Sequence, residues 1–248
     1  KVWNSYAQYS DYGILVARHD PSLPKHDGLT YFIVDLRAPG VEVRPIKLLT
    51  GHSDLNEVFF NDVVIPDSYR LGKVGEGFKI AIQTLMMERY TGADESAFGP
   101  SIEDFVRLLG EAEFNGRPAL ESDLVRNEIA EWMILQGGMR AIQSKALAAI
   151  ERGAAPGPEA SIFKPLLCAL RTRVSTLAMD MLGPQAVVDD AGLNMRDADQ
   201  RAWLAIPSIR IAGGTDEMLA NTIAEKILGL PQDYRPDKGV PFEQSDRG

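Results

Sequence analysis

With 248 residues, the chain is long enough to bury one large core or two ordinary ones. Hydrophobic residues make up 45% and charged residues 25%, the balance of a globular protein and not of a disordered or fibrous one. A formal net charge of -9 without any basic run argues against a nucleic-acid partner, because such binding rests on Lys and Arg neutralising phosphates, although one cleft can still be basic.

From Lys1 to about Gly72 the apolar residues come in short β-branched and aromatic runs broken by Pro, Gly, Asp and Asn, the pattern of strands and turns. Strands are predicted at 13–18, 30–36, 41–47 and 56–65, separated by a loop at 20–28, the turn Ala38-Pro39-Gly40 and a polar stretch at 50–54. An antiparallel sheet or barrel follows. After Gly72 the period changes: Phe78, Ile82, Leu85 and Arg89 recur at helical spacing. A second helix is predicted over 121–152, entered through Arg117-Pro118 and closed by Gly153 and Pro156-Gly157-Pro158. A third covers 159–182, where Leu166, Leu170, Val174, Leu177 and Met181 form one stripe and Gly183-Pro184 ends it. The last runs over 215–228 and stops at Gly229, before Pro231. Long antiparallel helices of this kind form bundles. The expected class is α+β: a partial β-domain over 1–72, an all-α bundle over 73–231, and a polar tail over 232–248 that lies loosely or on a partner.

Cys168 is the only cysteine, so no intrachain disulfide can form, and its apolar surroundings in 165–170 read as core packing. His19, His26 and His52 lack the helical spacing of a zinc or iron site, and no metal is predicted. No apolar stretch approaches the roughly 20 residues of a membrane span, and no signal-peptide pattern opens the chain. Lys1 leads straight into strand-like sequence, which raises the expectation of further chain upstream.

The densest local signal is Gly72-Lys73-Val74-Gly75-Glu76-Gly77-Phe78, continuing to Leu85-Met86-Met87-Glu88-Arg89. Three glycines in six residues let the chain turn tightly from sheet to helix, and the helix carries Glu88 on the side of Ala81 and Leu85. Apolar neighbours disfavour a carboxylate's charged form and raise its pKa toward the range of a general base. From the residues alone, a solvated Glu88 or one paired with Arg89 or Arg140 stays open. Thr215, Asp216 and Glu217 open a helix whose free N–H groups favour electron-rich ligands, or form a simple cap. Ser161-Ile162-Phe163-Lys164 fits the Ser-x-x-Lys pattern of penicillin-binding enzymes, but neither Ser-Asp-Asn nor Lys-Thr-Gly accompanies it.

Lys1-Val2-Trp3-Asn4-Ser5, Asp11 through Arg18, Gly28 through Asp35, Pro39-Gly40-Val41, Asn56 through Val63 and Gly72 through Gly77 follow one another in order. Near the end come Arg210-Ile211-Ala212-Gly213-Gly214-Thr215-Asp216-Glu217 and Ile223 through Gly229. This ordered set closely resembles the acyl-CoA dehydrogenase family from Lys1 to about Pro231, with a looser match in the middle helices. The resemblance implies an antiparallel β-barrel portion followed by a C-terminal four-helix bundle, with the family's N-terminal helical domain missing. It implies FAD as cofactor, Trp3 against the flavin and Ser5 near its N5, where many relatives have threonine. By the residues alone Trp3 is as well read as a core aromatic.

Many family members place the catalytic base in the closing signature, immediately before a Gly-Thr pair, where this chain has Gly213, which cannot take a proton. A branch resembling the isovaleryl and long-chain enzymes places it before an arginine on the first bundle helix, and Glu88-Arg89 stands there. The resemblance thus implies α,β-desaturation of an acyl-CoA thioester, with Glu88 taking the α-proton, hydride passing to FAD N5 and electrons leaving to an electron-transferring flavoprotein. Arg89 and Gly213 fall on the substrate side; Gln185, Thr215 and Glu217 fall on the flavin side, contributed across a homodimer or homotetramer. Leu182-Gly183-Pro184-Gln185 lacks the family's double glycine, and its Arg-x-x-Phe-Gly pattern is not clear within 107–117. A partner subunit of a heteromeric complex, or a related flavin oxidase or monooxygenase, is the alternative. The lean is toward bacterial relatives that handle branched or steroid-derived acyl groups. The expected location is the bacterial cytoplasm, or a mitochondrial matrix or peroxisome.

Overall fold

The computed structural model describes residues 1–91, 101–153, 160–188 and 194–245, with the side chains of 86–91, 160, 185 and 194–199 outside the described set. Its contacts divide the chain into two units, one of Lys1–Glu88 with Asp233–Gly248 and one of Arg89–Gln232.

The first unit holds β1 (Asn4–Ser5), β2 (Tyr12–Arg18), β3 (Leu29–Asp35), β4 (Val41–Ile46), β5 (Leu55–Phe60), β6 (Arg70–Leu71) and α1 (Gly77–Thr91), the last belonging to it as far as Glu88. Two antiparallel three-stranded sheets result, in the orders β1-β5-β4 and β2-β3-β6. The register of β2 on β3 runs from Tyr12↔Asp35 to Arg18↔Leu29, so the period-2 alternation of both strands is kept in phase. On β5, Asn56 and Val58 are buried two residues apart on one face. Pro45, which has no N–H to give a ladder, sits on the edge strand β4.

Among the described residues these strands form no closed barrel; the residues alone had left a sheet or a barrel open, and the family resemblance implied a barrel portion. The run predicted over 56–65 ends at Phe60. Asp62 takes a left-handed φ of 51°, and the Asn61 N–H turns back to the Gly40 carbonyl at 2.9 Å. The tail, read from sequence as loose or partner-bound, returns to the loop between β2 and β3. Phe242 N–H donates to Leu23 O and Glu243 N–H to Pro21 O, each at 3.0 Å.

The second unit is built from α2 (Ile102–Leu109), the hairpin β7 (Glu113–Phe114) and β8 (Arg117–Pro118), α3 (Asp123–Glu151), α4 (Ala160–Leu182), α5 (Asn194–Ile209) and α6 (Asp216–Thr222), which continues as a π-turn over Ile223–Ile227. Ser101 caps α2, its hydroxyl accepting from Asp104 N–H at 3.0 Å. The hairpin turns on Asn115-Gly116, both with positive φ, the Asn-Gly signal that primed two-residue turns require. The predicted stripe of α4 is inside: Leu170, Val174 and Leu177 are buried, with Leu166 and Met181 packed at the edge of the same core. Facing them on α3 are Val125, Trp132 and Met139, spaced seven residues apart and fully shielded from solvent. Helix α5 was not predicted, yet Ala202 and Ile206 are buried one turn apart; the charged and polar start of its sequence and Pro207 hid that short signal.

Among the described residues no helix is long and apolar enough to cross a membrane. Trp132 is wholly buried and meets Phe105 at 5.6 Å between ring centroids, a tilted pair that adds about 1 kcal/mol to its burial. Trp132→Ala is expected to cost about 3–5 kcal/mol, read as an earlier urea midpoint at unchanged slope.

Candidate functional site

The junction predicted to turn sheet into helix does so by close backbone approach. Gly72 and Gly75 take φ of 72° and 88°, conformations that favour glycine. Gly77 sits against β3, where an added Cβ would lie 2.7 Å from the Leu29 carbonyl carbon and the Thr30 backbone. Gly75 N–H donates to Thr30 Oγ1 at 3.3 Å, and Thr30 Oγ1 stands 3.0 Å from His19 Nδ1. The Glu76 carboxylate accepts the Lys73 N–H at 3.0 Å, and that hydrogen bond holds its pKa below the usual value. Phe78 stacks on His26 at 3.7 Å, and Tyr31 OH reaches Thr84 Oγ1 at 3.4 Å. Helix α1 is thereby pinned to β3 through its first two turns. Glu88 and Arg89 come eleven and twelve residues after Gly77 on this helix, and their side chains lie outside the described residues.

Trp3 is not a core aromatic. It is 62% exposed and holds a left-handed φ of 66°, which costs a non-glycine residue of the order of 1 kcal/mol and must be held by its surroundings. The holding contacts lie on either side. Lys1 and Val58 exchange backbone hydrogen bonds at 2.8 and 2.9 Å, and the buried Asn56 amide donates to Asn4 O at 3.0 Å and to the Gln8 side-chain oxygen. Ser5, on β1, is exposed. The two residues thus present a flat aromatic face and a hydroxyl at one edge of the β1-β5-β4 sheet.

In the second unit, residues 210–215 form a turn between α5 and α6 in which Gly213 and Gly214 have φ of 63° and 103°. Nothing lies within 4 Å of where a Gly213 side chain would start, so the position is open but conformationally reserved for glycine. Thr215 is the cap of α6: its hydroxyl accepts from Met218 N–H at 3.2 Å. Arg210 Nε donates to Asp216 at 2.6 Å, and Glu217 has a lowered pKa, chiefly from its own backbone N–H and then from the Thr215 hydroxyl.

Lys164, whose Ser-x-x-Lys pattern pointed to different chemistry, reaches this turn from α4. Its ammonium donates to Arg210 O at 3.3 Å and also to Gly214 O. Ser161 is buried on the same helix, and Cys168 is buried with its thiol pKa raised by desolvation. The sequence marked Lys164 but gave no sign that its partners would be carbonyls more than forty residues away. Gln185 lies in the turn Gly183–Val187, its side chain outside the described residues; Gln200 steadies that turn by donating to Ala186 O at 2.7 Å. Arg107, within the stretch that lacks the family arginine pattern, pairs with Asp104 at 2.9 Å on the surface. Among the described residues no group of three or more His, Cys, Asp or Glu is placed to hold a metal.

The chain matches the family model "Acyl-CoA dehydrogenase, C-terminal domain" over residues 75–228. It is 33% identical over 233 residues to the acyl-CoA dehydrogenase FadE34 of Mycobacterium tuberculosis, covering 94% of this chain and 31% of the relative. To the acyl-CoA dehydrogenase IpdE1 of the same organism it is 34% identical over 242 residues, covering 95% and 59%. Among solved structures it resembles a variant of the Tcur3481-Tcur3483 steroid ACAD with a TM-score of 0.80 at 26% identity, over 94% of this chain and 60% of that one. The chain therefore spans about 60% or less of these relatives.

Lys164→Met is expected to release the 210–214 turn, with faster amide exchange at residues 211–216 and a stability loss of about 2 kcal/mol, since its hydrogen bonds are charge-assisted. Amide exchange read by mass spectrometry checks this against the unaltered chain.

Proposed function

The chain belongs to the acyl-CoA dehydrogenase family, and from that membership we propose that the protein containing it is an FAD-dependent enzyme that desaturates an acyl-CoA thioester between its α and β carbons. The observation that carries the reading is the distribution of carboxylates at the family's two base positions. Gly213 offers none, whereas Glu88 stands on α1, the helix seated by the glycine junction.

The residues present fit a flavin. The exposed Trp3 ring and the exposed Ser5 hydroxyl stand two residues apart at one sheet edge, a face for a planar ring system and a hydrogen-bonding group for its rim. Thr215 and Glu217 supply polar groups at the opening of α6, and Gln185 belongs to the same assignment by the family resemblance. When bound, FAD supplies the acceptor for the two electrons that leave the β carbon as hydride.

Glu88 takes the proton from the α carbon. The proton beside a thioester carbonyl is weakly acidic, so the carboxylate must be close and poorly hydrated to act as a base near neutral pH. Hydrogen bonds to the thioester oxygen stabilise the developing negative charge, and one such donor is worth roughly 3 kcal/mol in sites of this kind. Arg89 and Gly213 are assigned to the substrate by the family resemblance. An electron-transferring flavoprotein is the proposed acceptor, and the two sheets are proposed as parts of a β-barrel in a protein that assembles as a homodimer or homotetramer.

One observation favours a second reading. The similar solved structure bears the double designation Tcur3481-Tcur3483, and a chain whose closing signature has glycine at the base position would suit one subunit of a heteromeric complex.

In the full-length protein, Glu88→Gln should keep its flavin yet fail to lose flavin absorbance when an acyl-CoA is added without oxygen. Bleaching at the unaltered rate would remove Glu88 from the mechanism. Bleaching by the unaltered protein only after a second subunit is added would select the heteromeric reading.

A further inference from the structure

Strand β1 consists of Asn4 and Ser5 alone, paired with Asn56 and Leu55 of β5. So short a strand cannot fix its own register, and Asn4 and Ser5 supply no apolar alternation to fix it for them. It is also bracketed by strain. Trp3 and Tyr6, on either side, take left-handed φ of 66° and 55°. Both side chains are exposed, so neither conformation is compensated by burial.

The constraint comes from the neighbouring strand. Asn56 lies on β5, the central strand of its sheet, and is fully buried. It gives both amide hydrogens to the β1 side, one to Asn4 O at 3.0 Å and one to the Gln8 side-chain oxygen. Gln8 is itself aimed by donating to Ser53 O at 2.6 Å, and the Asn4 amide returns a hydrogen bond to Asn56 O at 3.4 Å. Tyr6 N–H reaches Asp54 O at 2.7 Å. Residues 4–8 are thus clasped along 53–56. Stability alone does not explain an amide at this place. Asn56 Oδ1 is buried with no partner among the described residues, and that desolvation opposes the gain from the two donated bonds, whereas an apolar side chain would avoid it. A buried amide of small net stability still specifies register, because a slip of β1 would strand its donors as well.

We propose that Asn56 is a positioning residue for the flavin: by holding Asn4 and Gln8 it sets the backbone from Trp3 to Tyr6, and with it the aim of the Trp3 ring and the Ser5 hydroxyl. In this role Asn56 acts only through those two residues, from beneath the face they present, and Gln8 is the outer half of the clasp. The inference rests on the flavin reading given above and adds to it a residue that meets neither flavin nor substrate.

FAD titration of the full-length protein, with Asn56→Leu made in the unaltered background and in one carrying Trp3→Ala and Ser5→Ala, tests it. In the unaltered background Asn56→Leu is expected to weaken FAD binding about tenfold, the net worth of roughly one hydrogen bond, and to shift the visible flavin spectrum toward that of the Trp3→Ala, Ser5→Ala protein. In the second background it should add nothing, since the groups it aims are gone. Gln8→Leu, a half-buried position, should act in the same direction and carries the test by itself where Asn56→Leu does not fold. A loss of affinity equally large in both backgrounds would mark a general structural defect and overturn the proposal, as would FAD affinity and spectrum unchanged by either leucine. Unaltered full-length protein that takes up no FAD would instead contradict the flavin reading, and this role with it.

Discussion

Gly77 touches the backbone of β3 so closely that no other residue fits: a Cβ there would lie 2.7 Å from main-chain atoms of Leu29 and Thr30. Such an approach brings a helix start directly onto a strand, within reach of hydrogen bonds that a side chain would have kept apart. The Gly75 N–H finds Thr30, Thr84 finds Tyr31 and Phe78 finds His26 because that gap is closed. The start of α1 is thus set by sterics, and Glu88 follows at a fixed number of turns along it. The proposed chemistry asks for a carboxylate whose place does not vary, and the junction is the device that supplies such a helix.

The second unit solves a different problem. Its long helices bury an apolar stripe whose register is set by Trp132, Met139 and Leu170, and that core carries a turn rich in glycine that could not hold its own shape. Lys164 anchors the turn by its carbonyls, and Thr215 then caps the next helix. Charge serves position here. In the first unit, too, the pairing of Lys25 with Asp237 holds the tail against the loop between β2 and β3.

Much of this was legible in the sequence, for reasons that differ from element to element. The stripe of α4 and the ends of α3 could be read because helical period and Gly or Pro punctuation are local properties. The glycines at 72, 75 and 77 announced a tight turn, though not that β3 would be what Gly77 touches. Trp3 was ambiguous because an aromatic residue reads the same whether buried or presented; only its left-handed backbone and exposure separate the two. The return of the tail was missed because it depends on contacts more than two hundred residues apart, such as Lys25 with Asp237, which no local pattern encodes. The roles given to Glu88, Arg89 and Gln185 came from family resemblance, since a side chain's chemistry depends on surroundings that spacing does not supply.

The most direct test of the central constraint is to replace Gly77 with alanine and follow amide exchange along residues 79–85 together with urea unfolding. Gly137→Ala, which adds its methyl group in open space on a helix, serves as the comparison. The account predicts that Gly77→Ala loses protection along α1 and about 1–3 kcal/mol of stability, while Gly137→Ala is neutral or slightly stabilising. Equal protection and equal midpoints in the two variants would contradict it.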